Sequence, residues 1–434
     1  MFRLLQSTIL FQAIGYLMQF AAIVIFARIL GSEGQGILTV FRSTAQIIAA
    51  IIWFGLPSSI VYFVGKDRHN FNPLLKNCLG WFGFSFFILV IAFYILPVEK
   101  IPKVNVIEQY IPFLLVLVCL LTFYDLFQRL MLSLKHYLYY NIFAFGLGLA
   151  IFFGSLLTTY TSTDSNRLNI AIGCYLAGYA VMFLYGLVLT IREGHNIGWG
   201  NAIKLKFIEQ FRVGLRGYLS ALAAMFLFRA DLFLVAYFLS FKEVGIYSIA
   251  LLGAEMIIKI PNWSAAILTP MVASAEDGHV RRTLFLFYSS LIIAVILGIL
   301  IILLITLFPT FISNVLGRDF AGVETCLLFL LPRVVMQSGV GILAANLAGK
   351  GYPWYHPVGC SIPLVFLIIL DFILIPRMGI IGAAIGSSLS FISAVIIFRI
   401  GFHKYNEITD DIRLKTFWCV IRKYFHGRLL SWMS

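Results

Sequence analysis

The chain has 434 residues, of which 61% are hydrophobic and only 12% are charged, and its mean hydropathy is +0.96. Soluble domains carry roughly 25% charged residues, so this composition excludes an ordinary water-soluble fold and indicates a membrane protein. The formal net charge of +13 would suggest nucleic-acid binding in a soluble protein. In a membrane protein, the excess of Lys and Arg in cytoplasmic loops accounts for this charge, and we expect no nucleic-acid partner.

Apolar runs long enough to cross a bilayer, about 18–20 residues each, recur along the chain. They lie near residues 4–30, 37–64, 74–97, 107–131, 137–160, 168–191, 214–239, 244–272, 284–308, 320–348, 355–375 and 380–402. Five prolines fall inside these spans and are expected to kink them: Pro57, Pro112, Pro261, Pro332 and Pro363. The sequence therefore predicts an all-α membrane protein with about twelve transmembrane helices.

The distribution of positive charge predicts the orientation of these helices. With a cytoplasmic N-terminus, most of the 32 Lys and Arg residues fall in cytoplasmic segments, and all external loops are short. Because positive residues accumulate on the cytoplasmic side, we predict that both termini are cytoplasmic. The first apolar run is too long for a signal peptide and lacks a small-x-small cleavage motif, so we expect it to remain as the first helix.

Two similar stretches indicate an internal repeat. ARILGSEGQGIL begins at Ala27 and AYFLSFKEVGIY begins at Ala236, an offset of 209 residues that aligns Gly36 with Gly245. Because each half then holds six spans, the halves share one orientation and are related by an axis along the membrane normal. This repeat predicts two bundles on either side of a central cavity.

The repeat and the charge pattern together predict four segments. An N-terminal six-helix lobe covers residues 1–191, and a cytoplasmic connection covers residues 192–213. A C-terminal six-helix lobe covers residues 214–402. The tail at 403–434 carries an apolar stripe flanked by basic residues, which predicts an amphipathic helix on the membrane surface.

Several short motifs are similar to those of polysaccharide transporters. They are Ala27-Arg28-Ile29-Leu30-Gly31-Ser32-Glu33-Gly34 with Gly36, Arg229-Ala230-Asp231, Val244-Gly245-Ile246-Tyr247, and Ile375-Pro376 with Gly379, Gly382, Ala383 and Ala384. On these residues the chain resembles the O-antigen (Wzx-type) flippases over nearly its whole length. This group is the polysaccharide-transporter branch of the multidrug/oligosaccharidyl-lipid/polysaccharide exporter superfamily.

The resemblance implies a MATE-like fold of two six-helix lobes whose cavity opens alternately to the two leaflets. It implies a lipid-linked oligosaccharide as cargo, namely undecaprenyl-pyrophosphate carrying an oligosaccharide repeat unit. The location it implies is a bacterial inner membrane, and the process is the synthesis of lipopolysaccharide O-antigen or a related surface polysaccharide. Expected partners are membrane lipids, a polysaccharide polymerase and chain-length machinery, and no cofactor is expected.

Ionisable residues inside the spans are the candidate functional residues, because a charge near the bilayer centre is costly unless it faces a cavity or a partner. The cations proposed to bind a pyrophosphate headgroup are Arg229, Arg333, Arg42 and Lys259. The acids proposed to couple ions or to form ion pairs are Asp231, Glu255, Asp125 and Asp371. Arginine suits this cargo because its planar fork binds two phosphate oxygens at once.

Arg229 is the first candidate, since it lies near the middle of its predicted helix. Asp231 is two residues away and projects to a different face, so it leaves Arg229 available to cargo or to another helix. Glu255 and Lys259 have the i,i+4 spacing that favours mutual neutralisation. Arg42 can either line the cavity or extend to the membrane interface.

Arg333 lies near mid-depth of its span, with Gln337 one turn away, and is a further cavity candidate. Asp125 and Asp371 are candidates to carry protons, and each is equally well explained as a hydrogen-bonded structural acid.

Two other classes of function remain open. A membrane-embedded enzyme of polysaccharide synthesis is disfavoured because no GxSxG or Walker A motif is present, and the histidines lack metal-ligand spacing. We therefore predict no catalytic residue and no metal site. A cation-coupled multidrug antiporter of the same superfamily would share the fold. Its cationic substrates call for an acid-rich cavity, whereas cations slightly outnumber acids in these spans.

Overall fold

A computed structural model describes residues 2–95, 109–160, 166–197, 207–273, 279–308, 311–351 and 353–406. The regular elements in these ranges are all helical, which confirms the predicted all-α membrane fold. Ten stretches among the described residues are long and apolar enough to cross a membrane. The cytoplasmic orientation of the termini stays a prediction.

The first helical stretch, Phe2–Trp53, is divided at Gly31, whose φ is +68°. We name its parts α1 (residues 2–30) and α2 (residues 32–53). The further helices are α3 (Leu56–Lys66), α4 (Phe71–Ile95), α5 (Ile111–Ser133), α6 (Tyr137–Tyr160), α7 (Arg167–Ile197), α8 (Phe207–Phe238), α9 (Phe241–Ala273), α10 (His279–Leu307), α11 (Phe311–Leu316), α12 (Val323–Gly349), α13 (Tyr355–Met378) and α14 (Ile380–Asn406).

Each predicted apolar segment falls on one of these helices, but the second is broken into α2 and α3. The break lies at Phe54 and Gly55, which both have positive φ. Pro57 and Pro112 were expected to kink their helices, and this is wrong, because each lies in the first turn of a helix. A proline at this position loses no helical hydrogen bond, since the first N–H groups have no partner anyway. Pro332 and Pro363 do lie inside α12 and α13.

The first compact unit comprises Met1–Leu222, Leu239–Gly245 and Val315–Phe320. Its core is built mainly from α1 to α7. α1 packs closely along α6 because glycines leave room for the backbones: a Cβ at Gly15 would strike Ala144, and one at Gly148 would strike Gly15. Small residues allow such approach in membranes, where helix association depends on tight packing rather than on expulsion of water.

Two repeat-related glycines meet directly within this first unit. A Cβ on Gly36 of α2 would collide with the carbonyl oxygen of Phe241, and a Cβ on Gly245 of α9 would collide with that of Ser32. Ser32 and Phe241 are themselves 209 residues apart, so the two contacts are reciprocal under the repeat offset. This reciprocity is what a two-fold relation between the repeated segments requires.

The second compact unit comprises Ala223–Phe238, Ile246–Asn314 and Ala321–Ser434. Within it, α12 packs against α10 and α14, and α13 packs against α14. Its core includes Leu227, Phe287, Leu343, Phe391 and Phe398.

The four predicted segments are only partly covered by the described residues. α7 continues to Ile197 and α8 begins at Phe207, so the predicted connection at 192–213 is helical at both ends. Residues 198–206 lie outside the described residues, and so does the predicted amphipathic tail beyond Asn406. The division into lobes at this connection stays a prediction.

Candidate transport site

The second unit holds a fully buried ion pair between α12 and α8. Arg333 is 1% exposed and Asp231 is 0% exposed, and Nη1 of the arginine lies 2.5 Å from Oδ2 of the aspartate. Two hydroxyls complete the site: Tyr247 donates to Asp231 at 2.6 Å, and Ser387 lies 2.6 Å from Nη1 of Arg333. A buried ion pair offsets its desolvation only when such additional hydrogen bonds satisfy both groups, as they do here.

The rest of the Arg333 guanidinium is also occupied. Nε lies 3.3 Å from the side-chain oxygen of Gln337, and Nη2 lies 3.4 Å from the carbonyl oxygen of Phe228. The ring of Phe391 lies 5.0 Å from the guanidinium carbon. Arg333 was predicted to line a cavity, but its side chain is enclosed and its donors are used within the protein.

Asp371, on α13, is a second acid of this buried region. It is 0% exposed, and neither carboxylate oxygen has a hydrogen-bond partner among the described residues. Its carboxylate interacts electrostatically with Asp231 and Arg333. Gly386 of α14 leaves the space for it, since a Cβ there would strike Oδ1. With one guanidinium beside two carboxyl groups, the region either binds a proton at Asp371 or admits a cation.

Arg229 has an acidic partner on the neighbouring helix. Its Nη1 lies 3.3 Å from Oε1 of Glu255 on α9, and the two side chains are 29% and 20% exposed. Because Asp231 is only two residues away, the sequence indicated that Arg229 contacts either another helix or the cargo. The structure shows a contact with another helix, through Glu255. Lys259 lies one turn further along α9 and is half-buried. Its predicted pairing with Glu255 stays a prediction.

Arg42 is the candidate cation of the first unit. It lies on α2, is half-buried, and its guanidinium carbon is 4.3 Å from the centre of the Tyr175 ring on α7. Arg42 also interacts electrostatically with the Tyr175 hydroxyl. Within the part of the chain that the structure describes, no carboxylate pairs with Arg42. Among these residues it is therefore a cation held against an aromatic face and not neutralised by an acid.

Asp125 belongs to the first unit, on α5, and its partner is on the same helix. It forms an i,i+4 ion pair with Arg129 on α5, with Nε 2.9 Å from Oδ2, and both side chains are about two-fifths exposed. Such exposed pairs contribute about 0–1 kcal/mol. Asp125 is therefore the least suited of the four candidate acids to a buried coupling role.

The structure brings Arg333, Asp231 and Asp371 together and pairs Arg229 with Glu255. Sequence reasoning missed the hydroxyls of Tyr247 and Ser387, because uncharged polar residues are common in apolar helices. Tyr247 ends one of the quoted motifs, which is the one signal that could have drawn attention to it. No group of three or more His, Cys, Asp or Glu residues in the described ranges is arranged to bind a metal.

Solved structures with the same fold cover nearly the whole chain. A lipid II flippase, MurJ, in an inward closed conformation matches with a TM-score of 0.63 and 16% identity, over 98% of this chain and 93% of that one. The MATE multidrug transporter DinF-BH, solved as a complex, matches at 0.67 and 16%, over 93% and 95%. A mutant MATE protein matches at 0.60 and 15%, over 91% and 97%.

These matches show that the chain shares the fold of MurJ and of the MATE transporters. Residues 5–276 match the family described as polysaccharide biosynthesis protein. Since that match covers more than half of the chain, the chain belongs to the polysaccharide biosynthesis protein family, as the sequence motifs indicated. No curated protein sequence matches the chain.

Proposed function

We propose that this protein is a flippase of a bacterial inner membrane. Its cargo is undecaprenyl-pyrophosphate carrying an oligosaccharide repeat unit, which it moves from the inner to the outer leaflet by alternating access. The process served is the synthesis of O-antigen or a related surface polysaccharide, next to a polymerase and chain-length machinery. Family membership supports the process, and the likeness to a lipid II flippase supports the kind of cargo.

The observation that carries this proposal is that Arg42 pairs with no carboxylate among the described residues. A pyrophosphate requires a fixed cation whose donors are available, and arginine offers two parallel N–H groups to phosphate oxygens. Arg333 is enclosed, and Arg229 already faces Glu255 at 3.3 Å. Arg42 therefore replaces Arg229 as the first candidate for headgroup binding. Arg229 and Lys259 remain secondary candidates, because cargo would have to compete with Glu255 for Arg229.

The membrane potential supplies a driving force for this direction of transport. Moving one elementary charge through 100 mV corresponds to about 2.3 kcal/mol, and an inside-negative potential favours the outward movement of an anion. Asp371 is the proposed site for a counter-transported proton or cation, because its carboxyl group is buried without a hydrogen-bond partner among the described residues. A cation moving inwards on Asp371 would add to the same driving force.

The test is reconstitution of the full-length protein in liposomes with lipid-linked oligosaccharides, followed by an assay of which leaflet they occupy. We expect Arg42→Ala to abolish transport and Arg42→Lys to reduce it partially, because lysine keeps the charge but loses the fork. Arg129→Ala, which changes an exposed arginine, serves as the control and should transport normally. Normal transport by a folded Arg42→Ala variant would exclude Arg42 as the headgroup site.

A cation-coupled multidrug antiporter is the second candidate function, and the buried Asp371 favours it. Two of the similar structures are multidrug or MATE transporters, although identities of 15–16% indicate a common fold and no shared substrate. The same liposomes distinguish the two proposals. Efflux of a cationic dye that requires Asp371, with no movement of lipid-linked oligosaccharide, would support the antiporter. A membrane-embedded enzyme is a weaker alternative, since the similar structures that name an activity are a flippase and transporters.

A further inference from the structure

The first unit has a groove that none of the candidate charges lines. It is formed by α4, α5 and α7 and has a volume of about 400 Å³. Apolar side chains line most of it, among them Leu79, Phe123, Phe127, Phe183 and Leu187. We call it the α4–α5–α7 groove. Volumes of a few hundred Å³ are typical of pockets that bind small molecules.

The groove has the length of one membrane leaflet. Along α7 its lining extends from Phe183 to His195, and the rise between these two residues corresponds to about 18 Å of helix. The hydrocarbon core of a bilayer is about 30 Å thick, so one leaflet contributes roughly half of that. The groove therefore has the dimensions of a single extended hydrocarbon chain that runs from the membrane surface towards the midplane.

One end of the groove is polar, and its polar groups are built into the helices. Asn72 of α4 donates a hydrogen bond to the carbonyl oxygen of Gly194 on α7 at 2.9 Å. Glycine is needed there, since a Cβ on Gly194 would lie 2.8 Å from the side-chain oxygen of Asn72.

Thr190 lines the same end and is 5% exposed, yet its hydroxyl has no hydrogen-bond partner among the described residues. Threonines in helices usually bond back to the carbonyl oxygen four residues earlier, as Thr283 does here.

The polar end also carries positive charge. Lys76 on α4 and Arg192 on α7 are exposed at this end, and His195 lines the groove itself. Glu193 is the acidic residue among them, and its Oε2 lies 3.5 Å from Nε2 of His136. An apolar groove with a cationic polar end matches a lipid whose headgroup is anionic.

We propose that the α4–α5–α7 groove binds one hydrocarbon chain of an anionic phospholipid, with the Thr190 hydroxyl donating a hydrogen bond to its phosphate. Lys76, Arg192 and His195 surround the headgroup and select anionic over zwitterionic lipid. None of the residues proposed for transport lines this groove, and its occupant is a resident lipid of the leaflet at the basic end.

The test measures lipid retained by the full-length protein after purification from nanodiscs of phosphatidylglycerol and phosphatidylcholine, by native mass spectrometry. The wild-type protein should retain phosphatidylglycerol preferentially. Leu187→Trp fills the groove and should remove one retained phosphatidylglycerol. Val188→Trp is the matched control, because Val188 is 65% exposed and does not line the groove, and it should retain lipid as the wild type does.

A second variant tests the polar end without filling the groove. Thr190→Val keeps the shape and removes the hydroxyl, so retention should fall about tenfold, as expected for a lost hydrogen bond to a charged group. Thr159→Val, at an exposed threonine bonded to Leu156, is its control. Equal retention by wild type, Leu187→Trp and Thr190→Val would overturn the proposal. Equal retention of phosphatidylcholine would also overturn it, and so would displacement of the lipid by a polyprenyl phosphate, which would assign the groove to the cargo.

Discussion

The two units treat their membrane-embedded arginines in opposite ways. In the second unit, Arg333 is enclosed by Asp231, Ser387 and other partners, and no part of its charge is presented outwards. In the first unit, Arg42 is half-buried, rests on the ring of Tyr175 and has no acidic partner in the described residues. An arginine in a helix is therefore not by itself a transport site. A carboxylate at hydrogen-bond distance indicates a structural arginine. An arginine without such a carboxylate has its charge available to bind cargo.

The largest effect should come from breaking the buried pair of the second unit. Asp231→Ala leaves the Arg333 guanidinium buried and uncompensated, which typically costs about 3–5 kcal/mol. We expect a large drop in the thermal unfolding temperature in detergent. Asp125→Ala changes an acid of an exposed pair and should shift stability by no more than about 1 kcal/mol.

A double variant shows whether the loss is due to the stranded charge. Replacement of both partners, in Asp231→Leu with Arg333→Met, removes the charge together with its counter-charge and should recover most of the stability. If the double variant is as unstable as Asp231→Ala, the buried pair is not the cause of the loss.

The second effect tests the reciprocal contact of the repeated segments. Gly36→Ala and Gly245→Ala each place a Cβ against a backbone carbonyl that cannot move without its helix. Both should be destabilised by a similar amount, about 1–3 kcal/mol, as for other overpacked sites. Gly80→Ala is the control, because nothing lies within 4 Å of its Cβ, and alanine is the better helix former. A loss at one glycine and not at the other would show that the two contacts are not equivalent.

Much of this fold could be predicted from the sequence, because span length and apolar content are local properties. The break at Phe54 and Gly55 could not, since the apolar run continues through it. Gly36 and Gly245 were aligned by the repeat offset, but their contact depends on how the helices approach each other in three dimensions. That approach is a tertiary property, and a single sequence does not report it.

The site was less predictable than the fold, for a physical reason. Sequence identifies which residues carry charge in an apolar span, and it pointed to Arg333, Asp231 and Arg229 as candidates. It does not identify the partners, because ion pairs between helices depend on rotation and depth. Arg229 ranked above Arg42 because of its central depth and because no acid on its own helix could pair with it. The acid at 3.3 Å on α9 reverses that order.

The Arg229–Glu255 pair offers a moderate test of the comparison between the units. Exchange of the two residues, Arg229→Glu with Glu255→Arg, keeps the ion pair and should change stability by about 1 kcal/mol or less. If the pair only joins α8 and α9, the exchanged protein should transport lipid-linked oligosaccharide normally. A stable exchanged protein without transport would show that the position of the Arg229 charge matters to cargo, and that the second unit also contributes a binding cation.

The smallest expected effect concerns the aromatic support of Arg42. Tyr175→Phe keeps the ring under the guanidinium and removes only the hydroxyl that interacts electrostatically with it, so transport should fall only a fewfold. Tyr175→Leu removes the ring as well, at about 0.5–2 kcal/mol more, and leaves Arg42 without a fixed orientation. Tyr218→Phe is the control for loss of a tyrosine hydroxyl elsewhere in the unit, because the Tyr218 hydroxyl donates to the Ile51 carbonyl oxygen.

The dependence of the transport rate on cargo concentration separates the two explanations for a loss of transport. A positioning role for Tyr175 raises the apparent KM for the cargo, whereas loss of folded protein lowers only the maximal rate. Equal transport by Tyr175→Leu and wild type would mean that Arg42 needs no aromatic support, and its claim to be a pre-positioned headgroup site would then rest on its charge alone.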